Sequence, residues 1–197
     1  MFAWINFAVL IFATLFFLYF YFLSVGPAAL EKVIGAEAYR RCGQYRMIAM
    51  IFEAITVVNY VLYRFFPLST PLPDSFPWPW WISAIIAAAI GIPTMWLMFV
   101  GLKDAGEEAA FPKKEHTMYG GIYAKIRHPQ AAGEVFVWLW VALLLNSPFL
   151  FIFSFVYFPI FLIMCWAEEH DLLLRYGDGY AEYYKKTGAF FPKRGEA

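Results

Sequence analysis

The sequence is poor in charge. Only 15% of its residues are charged, against 62% hydrophobic and 22% aromatic, where a soluble domain carries about 25% charged residues. That scarcity excludes an ordinary soluble domain and points to an integral membrane protein in one unit, residues 1–197. The net charge is zero, which removes the electrostatic case for nucleic acid as a partner. Cysteine is nearly absent. Cys42 and Cys165 stand alone, with neither metal-ligand spacing nor an evident disulfide partner. No internal repeat or low-complexity tract is present. Residues 1–23 lack the basic start and short apolar core of a secretory signal, so they read as a retained first span, although "SVGPAAL" could pass for a cleavage site.

What the sequence does have is apolar length. A helix rises 1.5 Å per residue, so about 20 apolar residues cross a hydrocarbon core. Five stretches qualify, at about residues 2–23, 47–63, 80–102, 131–146 and 149–167, the fourth being short. Asn146-Ser147-Pro148 is too brief a link for anything but an antiparallel hairpin of the last two. The expected fold is therefore all-α, with five transmembrane helices and a C-terminal helical segment. With five spans, every one of the 15 Lys and Arg residues except Arg64 falls on one side. Positive residues favour the cytoplasm, which puts the N-terminus outside and the C-terminus inside.

Several features have bland readings. Pro93 only bends its helix, and Ala87 with Gly91 lets helices pack closely. Glu53 lies inside the second span. An ionisable residue there is either functional or paired within the bundle.

The polar residues collect on the cytoplasmic side. Gly120-Gly121 breaks any helix before "IYAKIRHP". Pro129 suits the first turn of the fourth span. Arg127 beside that helix N-terminus makes an anion site, or else simply marks the inner leaflet. Glu168-Glu169 stands where the fifth span leaves the membrane, and the helix should continue past it. The tail after it carries an apolar face and could lie on the membrane surface. The hairpin sets Arg127-His128-Pro129 beside Glu168-Glu169. Sequence-distant cations, acids and an imidazole then meet in one pocket. Arg175, two helical turns beyond Glu168, should sit above that pocket.

These residues resemble a known pattern. Gly121, Tyr123, Arg127-His128-Pro129, Gly133, Glu168-Glu169, Leu172, Gly177, Tyr180 and Pro192 are similar to the C-terminal signature of the isoprenylcysteine carboxyl methyltransferase family. The likeness covers about residues 115–192. It implies S-adenosylmethionine as methyl donor and a cytoplasm-facing cofactor pocket closed by the C-terminal segment. It implies a prenylated or other lipid-like substrate entering from the membrane lipid, most simply the carboxylate of an isoprenylcysteine. By resemblance, the cofactor contacts fall on His116, Thr117, Met118, Tyr119, Tyr123, His128, Pro129, Gln130, Ala131 and Glu168. Arg127 and His128 would hold the donor's carboxylate, and Glu168 its amino group or ribose hydroxyls. Arg127 and Glu168 are thus the residues expected to serve catalysis, by positioning rather than proton transfer, because a carboxylate acceptor is already ionised. The oligomeric state is open.

Two departures bear on the substrate. Ala131 stands where the family has Tyr. Met164 stands one turn before the Glu pair, where the prenylcysteine enzymes have Arg. A lipid amine is the alternative acceptor, and it would need a base such as Glu53 or Glu134. A sterol-reductase-like enzyme using NADPH shares similar motifs but is much longer. A non-catalytic membrane protein would leave the ordered set unexplained.

Overall fold

The computed structural model describes residues 1–115 and 120–193, and among these it contains no β-strand. The described residues form nine α-helices: α1 (Phe2–Ser24), α2 (Pro27–Ile34), α3 (Glu37–Phe65), α4 (Trp80–Ala105), α5 (Pro129–Glu134), α6 (Val137–Leu144), α7 (Pro148–Phe153), α8 (Tyr157–Tyr176) and α9 (Asp178–Lys186). Among the described residues, four helical stretches are long and apolar enough to cross a membrane: Phe2–Ser24, Glu37–Phe65, Trp80–Ala109 and Pro148–Tyr176. The outer faces fit that setting. Trp4, Phe12, Phe99, Leu162 and Trp166 all project outward from them.

The fourth expected span takes a different form. It is two short helices, α5 and α6, separated by Val135 and Phe136. Sixteen residues, Pro129–Leu144, rise only about 24 Å as a helix. They nevertheless accompany α4 in the opposite direction. Pro129 and Gln130 lie against Gly101, Gly133 against Thr94 and Met98, and Trp140 against Gly91. At the far end Trp80 donates from Nε1 to the Leu144 carbonyl at 2.8 Å. Small residues make this crossing possible. A Cβ on Gly133 would meet the Thr94 carbonyl oxygen at 2.4 Å, so no side chain fits there. Pro93 removes a bond from the α4 ladder, and the Thr94 hydroxyl bonds back to the Ile90 carbonyl at 2.7 Å.

The core sits where α1 runs along α3, against α6, α7 and α8. Leu10, Phe17, Tyr60, Trp138, Leu150 and Tyr157 are its large members. Trp138 stacks on Tyr157 at 4.3 Å. Some polar groups inside it bond locally, while Asn6 Oδ1 and Trp138 Nε1 find no partner among the described residues. The Asn6 amide donates to the Asn59 carbonyl, and the Ser154 hydroxyl to the Trp138 carbonyl. Met164, 2% exposed, belongs to this core.

Two features bring the polar ends together. Helix α3 begins ten residues before its apolar stretch and carries Arg40, Arg41 and Arg46 on that extension. Helix α8 runs past Glu168-Glu169 and stops at Gly177, whose φ of 55° suits only glycine without strain. The chain then turns back through α9. Gly188 and Ala189 accept hydrogen bonds from the Arg127 and His128 backbone N–H groups at 2.9 and 3.0 Å.

Candidate active site

That return fixes the backbone of residues 126–128 between α8 and the C-terminal segment. Ile126 and Gly188 form an isolated parallel bridge. The Tyr183 hydroxyl donates to the Tyr123 carbonyl at 2.7 Å, which closes α9 over the turn Gly121–Ala124. Gly121 must be glycine: φ is 61°, and a Cβ would lie 2.1 Å from Asp104 Oδ2. Asp104 instead accepts the Ile122 N–H at 2.8 Å.

On this frame the side chains of Arg127, His128, Glu168 and Glu169 meet. Arg127 Nε lies 2.7 Å from Glu169 Oε1. His128 Nε2 lies 2.9 Å from the same oxygen, and Nδ1 lies 3.4 Å from Glu168 Oε2. Burial alone would push the His128 imidazole down. The Cys165 thiol and the Glu168 and Glu169 carboxylates outweigh it and hold the imidazole well above the ordinary histidine value. His128 is therefore a cation at neutral pH, and two cations face two anions.

The two acids differ in what remains to them. The Glu169 side chain is 12% exposed and is shared by Arg127 and His128, whereas the Glu168 side chain is 40% exposed and lines a cavity. Arg127 is committed to the protein. Besides Glu169 it donates to the Tyr184 and Thr187 carbonyls and stacks on the Tyr184 ring at 4.0 Å. It latches three segments, and its charge is answered by Glu169.

The cavity lies at the same end of the bundle and holds about 960 Å³ of atom-free space, mouth included. Tyr123, Arg127, His128, Gln130, Ala131 and Glu168 all line it. Pro129 is not in the wall: it is buried against Gly101. His116, Thr117, Met118 and Tyr119 lie outside the described residues. Tyr123 is pinned, its hydroxyl donating to the Gly101 carbonyl and accepting from Gln130 Nε2 at 2.9 Å. Burial pushes its phenol up, and pushes that of Tyr183 up to about 12, so both stay neutral. Helix α5 is only six residues long, so its N-terminus offers a weaker dipole than a continuous span would.

Several wall residues carried no motif signal. Tyr21 and Arg46 come from α1 and α3, Glu108 from the turn Gly106–Ala109, and Asp171 and Arg175 from α8. Arg175 does not sit above the cavity as its spacing suggested. It lines it, paired with Glu108 at 2.6 Å with both side chains buried. The signal that could have found Asp171 is its spacing: three residues after Glu168, it shares that helix face. Deeper along the bundle, the Glu53 and Glu134 carboxyls face each other within hydrogen-bonding reach. Glu134 is one turn beyond Ala131 of the wall. Among the described residues no cluster of three ligands could hold a metal ion.

Residues 80–179 fit the model of the phospholipid methyltransferase family. No curated protein and no solved structure matches the chain. The matched segment holds α4 to the start of α9, and with it the whole Arg127–Glu169 cluster, while α1 to α3 lie outside it. It joins the chain to a group of membrane methyltransferases related to the isoprenylcysteine enzymes, without placing it among those enzymes. As the match spans just over half of the 197 residues, the chain belongs to the phospholipid methyltransferase family.

Proposed function

We propose that the protein transfers a methyl group from S-adenosylmethionine to the headgroup of a lipid-like acceptor that reaches the cavity from the bilayer. The observation that carries this reading is the meeting of His128 with Glu168 and Glu169 at the cavity wall, in a chain of a methyltransferase family. The residues present suit the donor. The free face of the Glu168 carboxylate can accept from an ammonium or ribose hydroxyls. The faces of Tyr123, Tyr180 and Tyr183 form an aromatic wall beside which a sulfonium is favoured. Bound there, the donor supplies an electrophilic methyl group. The chain's own contribution is to orient the two reactants and exclude water.

The acceptor that fits best is a lipid amine. An isoprenylcysteine carboxylate would need a cation, and the two expected candidates are taken: Arg127 by Glu169 and Arg175 by Glu108. Met164 points into the core, so its replacement of an arginine is a packing matter here. An amine must lose a proton before it can attack. The Glu53–Glu134 pair, one turn past the wall, is placed to take it. The active site faces the cytoplasm and the N-terminus the outside. The antiparallel run of α5–α6 beside α4 supports a fifth crossing, and the distribution of Lys and Arg supports the orientation.

The test is methyl transfer from labelled S-adenosylmethionine by purified protein in detergent, offered phosphatidylethanolamine or a prenylated cysteine analogue. Label in the amine lipid is the expected result. Label in the prenylcysteine alone overturns the choice of acceptor. Binding of NADPH without binding of S-adenosylhomocysteine overturns the methyltransferase reading.

A further inference from the structure

We infer that Arg46 and Asp171 form a second polar subsite in the same cavity, one that takes a zwitterionic group bearing an acid and an ammonium. The inference rests on the methyltransferase reading but concerns residues that the family signature does not contain. Arg46 lies outside the matched segment altogether.

The two residues both hold one corner of the chain, the turn between α1 and α2. Arg46, on α3, donates from Nε to the Ser24 hydroxyl and from Nη2 to the Ser24 carbonyl, both at 3.4 Å. Its Nη1 donates to the Glu108 and Ala109 carbonyls at 3.1 and 2.9 Å. Asp171, on α8, accepts the Ala29 N–H at 2.9 Å through Oδ1. Val25 and Pro27 of the corner line the cavity between them.

Both side chains are buried, and among the described residues neither has a counter-charge within hydrogen-bond distance. Arg46 is 9% exposed, and all four of those bonds go to uncharged oxygens. Among the described residues no carboxylate lies within ion-pair distance of it. Asp171 is 3% exposed, and its Oδ2 has no hydrogen-bond donor among the described residues. The nearest cation, Arg175 Nη2, is 3.8 Å away, and that guanidinium is already held by Glu108 at 2.6 Å. A buried charge without a close counter-charge is costly. A cation and a carboxylate oxygen lining one cavity are both relieved by a ligand of the reverse polarity, an acid group to Arg46 and an ammonium to Asp171.

Two ligands of this reaction carry that chemistry. One is the amino-acid end of the methyl donor. The other is a zwitterionic lipid headgroup, with phosphate on Arg46 and amine on Asp171. An isoprenylcysteine has the acid but no ammonium, so it would leave Asp171 unsatisfied.

The experiment uses Asp171→Asn and Arg46→Gln, with Arg46→Lys as the conservative control. Asparagine keeps the oxygen that caps α2, so Asp171→Asn should fold even if Arg46→Gln does not. Affinity is measured for S-adenosylhomocysteine and for 5′-methylthioadenosine, which lacks the amino-acid end. Binding of short-chain phosphatidylethanolamine is read separately, by thermal protection, and needs no methyl transfer. If the subsite takes the donor, Asp171→Asn weakens S-adenosylhomocysteine roughly tenfold to a hundredfold and leaves methylthioadenosine unchanged. If it takes the headgroup, nucleoside binding holds and lipid protection is lost. In either case Arg46→Lys retains more than Arg46→Gln. Equal weakening of both nucleosides, or no change in any ligand, overturns the subsite. Wild-type protein that is protected by the lipid but binds neither nucleoside overturns the methyltransferase reading and leaves the headgroup arm standing.

Discussion

The two walls of the cavity treat their charges differently. In the wall from residues 120–189 a clasp spends them on itself: Arg127 and His128 close on Glu169, and the Arg127 guanidinium also holds two carbonyls. The wall that includes α3 leaves a buried guanidinium, Arg46, among uncharged oxygens. A motif of charged residues is therefore not in itself a ligand site. Much of the Arg-His-Pro and Glu-Glu pattern is a clasp that holds α5, α8 and the C-terminal return in register. Only Glu168 in it keeps a carboxylate largely open to the cavity.

The sharpest way to break this contrast is to open the clasp. Glu169→Ala strips the partner from Arg127 and His128, whose side chains are 7% and 4% exposed. Removing one member of a buried pair costs about 3–5 kcal/mol. The expected outcome is a large fall in unfolding temperature in detergent, with loss of ligand binding as a consequence. A variant of normal stability would show that the clasp is ornamental.

Glu168→Gln sharpens the same contrast from the other acid. Its 40% exposed side chain makes only a 3.4 Å contact with His128, so stability should change little. Donor affinity should fall instead, by about 1.5–3 kcal/mol for a lost charged hydrogen bond. Calorimetric binding of S-adenosylhomocysteine, compared with the melting temperature, separates the two roles. A variant that melts early and binds normally would reverse them.

Part of this was readable in advance. The first span was expected at residues 2–23 and is Phe2–Ser24. The expected meeting of Arg127 and His128 with Glu168 and Glu169 is present. Other parts depend on facts that spacing does not hold. Helix α3 starts at Glu37 because polar helix formers precede its apolar run, and they give no periodic apolar signal. Arg127 spends its donors on Tyr184 and Thr187, acceptors on the chain's return whose position no pattern gives. The register of α3 and α8 around the Ser24–Ala29 corner is set by packing, so Arg46 read only as a topology charge and Asp171 as an unremarked acid. Glycine at 133 was legible as a motif position, but its reason, the approach of α4 backbone, needed the fold.

A smaller effect comes from pH. His128 has its folded-state pKa raised above the ordinary value, after burial is outweighed by Cys165, Glu168 and Glu169. A raised folded pKa means that the imidazolium contributes its full stability below the unfolded value near 6.5. That contribution is lost as pH rises through the folded value. Stability should therefore decline on the alkaline side and not between pH 5 and 6.5. Melting curves across that range check it, and His128→Gln should flatten the alkaline decline. An unchanged slope in that variant would assign the decline to another group.

The smallest expected effect comes from two neighbouring acids, where distance is held constant and burial varies. Glu107 pairs with Lys113 and Glu108 with Arg175, each at 2.6 Å. The first pair is open, its side chains 55% and 80% exposed; the second is closed, at 7% and 4%. Coulomb attraction at one separation is weak in water and strong where water is excluded. An exposed pair also costs side-chain entropy and is screened by salt. Lys113→Ala should therefore change stability little, and that difference should vanish at high salt. Arg175→Ala removes a 2.6 Å contact between two buried side chains, so its cost should be several times larger and nearly independent of salt. Unfolding measured at low and high ionic strength for both variants makes the comparison. Equal, salt-sensitive losses would mean that water reaches Glu108 and that this end of the cavity is more open than the structure has it.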